Sequence, residues 1–89
     1  MVYFNLPGVS LQQYDQAWSD LRAAGYSHPQ GLLHHAGAHD GNDLIVVDVW
    51  ESADAFGKFG ETLVPILAKN GMPNVPPTIL PLHYEYSCN

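Results

Sequence analysis

Two hydrophobic periods alternate along this chain. MVYFN (residues 1–5) is rich in β-branched and aromatic residues and runs into Leu6-Pro7-Gly8, so it predicts a first strand. SLQQ (10–13) is a capping box, with Ser10 as N-cap and Gln13 reaching back. Leu11, Tyr14, Trp18 and Leu21 then recur at helical spacing, and Gly25 is placed to close that helix. GLLHHAGAH (31–39) predicts a second strand, weakened by Gly37. DGND (40–43) is a hairpin turn signal, and LIVVDVW (44–50) is the clearest strand of all. Ser52 caps a second helix whose apolar stripe is Phe56, Phe59, Leu63, Ile66 and Leu67. Pro65 lies inside it and predicts a kink or break near Thr62–Pro65. A loop (70–77) leads to TILPLHYEY (78–86), read as a last strand that Pro81 confines to an edge or a bulge.

The order β-α-β-β-α-β predicts an α+β domain of the ferredoxin-like type, a four-stranded antiparallel sheet with both helices on one face. Strand parity sorts the side chains. On 44–50, the aliphatic set Ile45, Val47 and Val49 suits the helices, which leaves Leu44, Val46, Asp48 and Trp50 for the open face. A turn centred on Gly41-Asn42 sets His35 opposite Asp48, so the two share a face while His34 points away. A one-residue slip, for which Gly37 offers a bulge, exchanges the two histidines. Leu80, Leu82 and Tyr84 suit the helices, and His83, Glu85, Tyr3 and Asn5 join the open face. An apolar face of that extent calls for a partner. A homodimer packed sheet to sheet, with a cavity in each half, is the expectation.

Composition narrows the function classes. With 89 residues the chain makes one domain (1–89), small enough for dimerisation to help its stability. Apolar residues are 46% of the chain and charged residues 13%, too apolar for disorder. The net charge of −6 repels a phosphate backbone and disfavours nucleic acid and anionic membranes as partners. One cysteine, Cys88, cannot make an internal disulfide. With no signal-like or membrane-spanning apolar run, this points to a cytoplasmic protein.

HAGAHDGNDLIVVDVWES, followed by AFGKF and later PLHYEY, resembles small actinobacterial-type proteins of the antibiotic biosynthesis monooxygenase-like superfamily. The likeness covers about residues 31–86. It implies a dimeric α/β barrel built from ferredoxin-like protomers. It also implies an activity among those of the superfamily: cofactor-independent monooxygenation, polyketide cyclisation, haem degradation or isomerisation. Haem-degrading members carry an axial histidine on the second helix, and residues 52–70 contain none.

His35 and Asp48 are candidate catalytic residues, the carboxylate orienting the imidazole so that it can take a proton from a phenol or an enolisable carbon. A polar pair satisfied under an interface is the competing reading. His83 is a second candidate base or hydrogen-bond donor. Trp50 and Tyr3 are candidate cavity walls for an aromatic ligand, and Asn5 a candidate partner for a substrate oxygen. Glu85 shares their face, with simple solvation as its alternative. His28 and His39 read as solvated loop residues. No metal is expected, since His34 and His35 diverge and no helical HxxxH or cysteine cluster exists. No phosphate-cradling loop, dinucleotide fingerprint or nucleophile elbow is present, and no cofactor is expected. The function expected is acid/base chemistry on a small aromatic or polyketide-like molecule without a cofactor. The alternative is a non-enzymatic dimer that binds a small apolar molecule or a partner.

Overall fold

The computed structural model describes residues 1–85; Tyr86, the end of the expected last strand, and Cys88 lie outside them. The elements are β1 (Val2–Pro7), α1 (Leu11–Ala23), β2 (Leu32–His39), β3 (Asp43–Trp50), α2 (Ala53–Lys69) and β4 (Thr78–Ile79). The sheet is antiparallel with strand order β2-β3-β1-β4, an α+β arrangement compatible with a ferredoxin-like domain. No helix among the described residues is long and apolar enough to cross a membrane.

Local chemistry explains the element boundaries. Ser10 Oγ accepts the Gln13 backbone N–H while Gln13 Oε1 accepts that of Ser10, the reciprocal capping box. At the other end of α1, Gly25 takes φ +92°. Its N–H bonds to the Arg22 carbonyl and the Tyr26 N–H to that of Leu21, the paired bonds of a Schellman turn. In the hairpin, Asp40 Oδ1 accepts the N–H groups of both Asn42 and Asp43, and Gly41 takes φ +102°. Ser52 caps α2, which continues through Pro65 to Lys69, so the expected break there does not occur. The Pro65 ring sits on the exposed side, while Phe59, Ile66 and Leu67 hold the other side against the core.

The faces of the sheet are the reverse of the expectation on β3. Leu44, Val46 and Asp48 are buried beneath the helices, and Trp50 packs on Phe56 and Phe59 of α2 at centroid distances of 5.6 and 5.3 Å. Ile45, Val47 and Val49 occupy the open face and are half-buried. The cause is the register with β1. Val2, Phe4 and Leu6 face the helices and lie opposite Asp48, Val46 and Leu44, so these six side chains make one inner layer. Tyr3 and Asn5 are on the open face, as expected.

The last strand is also shorter than expected. Among its described residues only Thr78 and Ile79 pair with β1, between Pro76-Pro77 before them and Pro81 after them, residues that cannot donate to a ladder. Met1 and Leu80 still exchange bonds at the sheet edge, the terminal ammonium donating to the Leu80 carbonyl at 2.7 Å. Leu80, Leu82 and Tyr84, expected against the helices, are exposed.

Asp20 ties the two helices together. Its carboxylate accepts Gln16 Nε2 within α1 and Asn70 Nδ2 from the cap of α2, both at 3.0 Å, with Lys69 Nζ at 3.6 Å. The Asn70 and Gln16 hydrogen bonds hold its pKa below the usual aspartate value. A depressed carboxyl contributes stability above its unfolded pKa and loses it as pH falls through the folded one. Asp20→Asn is therefore expected to lower Tm at neutral pH, with the gap to the wild type closing in acid. Melting curves across a pH series check this; a gap independent of pH would contradict it.

Candidate functional site

The hairpin register is the one the turn arithmetic required: His35 pairs with Asp48 and His34 with Val49. The bulge lies earlier than Gly37, between Leu32 and His34. It leaves the 35–48 pairing intact, so His35 and not His34 meets the carboxylate. His35 Nδ1 lies 2.5 Å from Asp48 Oδ1, and Trp50 Nε1–H donates to Asp48 Oδ2 at 3.3 Å. Among the described residues Asp48 is the one charged residue in the buried core, with 6% of its surface exposed. A carboxylate in that setting is tolerated only when paired, and both its oxygens are.

The face inversion changes what surrounds this pair. It lies between the sheet and the helices rather than on the open face. Tyr14 of α1 reaches it from above, its Oη 2.6 Å from His35 Nε2, and the two rings lie nearly parallel with centroids 6.0 Å apart. Trp18, one turn further on, meets the His35 ring edge-on at 5.0 Å. The tautomer follows from the partners. An ionised Asp48 only accepts, so Nδ1 carries the proton of neutral His35, and Nε2 accepts the Tyr14 O–H. Burial pushes the Tyr14 phenol up, an effect that the Trp18 indole opposes and the Asp48 charge reinforces, so the phenol keeps its proton at neutral pH.

Tyr14 read from the sequence as one more residue of an apolar stripe. The overlooked signal was Gly37, two residues after His35 on the same face. A Cβ built on Gly37 would lie 2.7 Å from Tyr14 Oη and 2.8 Å from Cζ, so the glycine is the space through which the ring reaches His35.

A cavity of about 60 Å³ adjoins the network, lined by Tyr14, Trp18, His35, Asp48 and Trp50 together with aliphatic and aromatic side chains such as Leu63 and Leu67. Of the candidates read from the sequence, His35, Asp48 and Trp50 come together here. Tyr3 and Asn5 lie across the sheet, opposite Val47 and Ile45. His83 is exposed on the segment after β4. Glu85 pairs with His34 at 2.8 Å on the open side. His39, read as solvated, is held on both ring nitrogens, with Nε2 3.0 Å from the Val9 carbonyl and Nδ1 accepting the Gly41 N–H. It ties the hairpin to the loop before α1. Among the described residues no group of three or more His, Cys, Asp or Glu side chains is placed to hold a metal ion. No protein-family model, curated protein or solved structure matches the chain.

The space at Gly37 makes a sharp expectation. Gly37→Ala should drive Tyr14 off His35 and lower stability by about 1–3 kcal/mol, the usual cost of overpacking. In a Tyr14→Ala background the same change should cost little, giving a coupling well above zero in a double-mutant cycle read by urea unfolding. Additive effects would show that the close approach is unimportant.

Proposed function

We propose that this protein is a small cofactor-independent enzyme that performs acid/base chemistry on a small aromatic or polyketide-like molecule bound between its sheet and helices. The observation that carries the reading is the continuous Tyr14–His35–Asp48 chain on the wall of an otherwise apolar cavity. Asp48 orients the imidazole and stabilises the imidazolium formed when His35 takes up a proton. A substrate hydroxyl or activated C–H would supply that proton. The resulting anion can transfer an electron to O₂, attack a carbonyl of its own chain, or be reprotonated at another carbon. These are the outcomes expected of the superfamily that residues 31–86 resemble. Arg22, Lys58 and Lys69 are not among the cavity-lining residues, which favours a neutral substrate over a carboxylate or phosphate.

The size of the cavity favours a second reading. At about 60 Å³ it is far smaller than the roughly 300–1,000 Å³ of ordinary ligand sites. An aromatic substrate enters only if side chains such as Trp18, Leu63 and Leu67 give way. A protein in which the network merely satisfies Asp48, and which binds a small apolar molecule or a partner, fits a cavity this small without that movement.

The two readings separate on variants. Screening phenolic and enolisable compounds with O₂ uptake and product detection identifies a substrate. His35→Ala should then cost about 10²–10⁴ in turnover, the usual share of a general base, in a protein that still folds but with a lower Tm because Asp48 has lost its partner. Asp48→Asn should cost less, since the imidazole remains but loses its orienting charge. Full activity in His35→Ala would refute the assignment, and loss of Tm in both variants with no activity found would favour the binding protein.

The same reading includes a homodimer formed through the open face of the sheet. Tyr3, Ile45, Val47 and Val49 are only half-buried there, beside Ala36 and Ala38, and a second copy would cover them. Sedimentation equilibrium is expected to give a dimer at micromolar concentration, and Val47→Lys a folded monomer. A stable wild-type monomer would sink this assembly.

A further inference from the structure

The basic nitrogen of His35 does not face the cavity unaccompanied. Tyr14 and His35 both line it, but Nε2 is engaged by Tyr14 Oη at 2.6 Å and Nδ1 by Asp48. A phenol oxygen has one proton and two acceptor lone pairs. With its proton given to Nε2, Tyr14 has acceptor capacity left over. Of the nearby indole donors, Trp50 Nε1–H is directed at Asp48 and that of Trp18 bears on the Tyr14 phenol, which leaves the Tyr14 oxygen one lone pair for a ligand. A ligand reaching this network thus meets acceptors first, and has to bring the donor itself.

We propose that Tyr14 Oη is the atom that meets the ligand, accepting a hydrogen bond from a neutral phenolic or enolic hydroxyl while passing its own proton to His35 Nε2. This rests on the acid/base reading above and names its substrate class. The transfer balances: the ligand O–H proton goes to Tyr14 Oη, the Tyr14 proton goes to Nε2, and the products are a ligand oxyanion and an imidazolium held by Asp48. Tyr14 ends as the neutral phenol it began as. The tyrosinate need not be populated, in keeping with a phenol that holds its proton. Gly37 is the positioning residue, because it admits the ring.

Phenol and toluene are the probes, similar in shape and differing in the donor. Titrated into ¹⁵N-labelled protein, phenol is expected to shift the Tyr14, His35 and Trp18 signals and to bind about tenfold tighter than toluene, the worth of one hydrogen bond. In Tyr14→Phe the advantage of phenol should vanish while toluene binds as before. Equal binding of the two probes by the wild type overturns the proposal. So does a phenol preference that survives Tyr14→Phe and is lost in His35→Gln. If neither probe binds, the titration is repeated in Leu67→Ala, which enlarges the cavity, and failure there overturns it as well. Imidazole ¹⁵N shifts of the wild type give an independent check that needs no variant: Nδ1–H is the expected tautomer of neutral His35, and Nε2–H contradicts the relay. Selectivity that tracks Tyr14 without turnover of any compound supports this proposal and overturns catalysis, so the two readings fail separately.

Discussion

A buried carboxylate governs this fold. Asp48 sits in the middle of β3 on the helix-covered face, among Val2, Val46 and Trp50, where an unpaired charge would be prohibitively costly. Its neighbours are arranged to prevent that. The hairpin brings His35 opposite it, Trp50 turns its indole N–H back along the same strand, and Tyr14 completes the chain on the far side of the imidazole. Removing any of these leaves a polar group in the core without its partner. The network therefore constrains the register of β2, the position of α1 and the rotamer of Trp50 together.

That constraint extends to space. Tyr14 can lie flat along His35 only because β2 has no side chain at Gly37. A glycine that weakens a strand by propensity is here the condition for bringing a helix residue down to the sheet. The result is a small cavity with one polar wall, in which an imidazole has a carboxylate on one nitrogen and a phenol on the other. The same geometry suits proton transfer and simple satisfaction of Asp48, which is why ligand selectivity discriminates better than the fold does.

Much of the local structure was legible from the chain. The capping box at Ser10, the glycine stop at Gly25 and the hairpin at 40–43 depend on short-range bonds whose partners are close in sequence, so their residue types suffice to identify them. The pairing of His35 with Asp48 was legible for the same reason, since a short turn sets the register. The faces of β3 were not. Both of its sides are apolar, so alternation alone does not say which is inner. The choice depends on the register with β1, about 40 residues earlier in the chain, and on the volume that Leu44 and Trp50 fill beneath the helices. His83 and Glu85 were expected beside the site on the assumption of a long last strand, which the prolines around Thr78–Ile79 do not allow.

The sequence by itself determined the order of the elements, the hairpin register and the histidine–carboxylate pair, because each rests on backbone chemistry within a few residues. Tertiary structure alone decided that this pair lies under the helices, that Tyr14 joins it, and that Tyr3 and Asn5 are on the other side of the sheet. These are decided by how α1 settles across β2 and how β1 aligns with β3. Such placements depend on the packing of side chains distant in the chain, which no local pattern encodes.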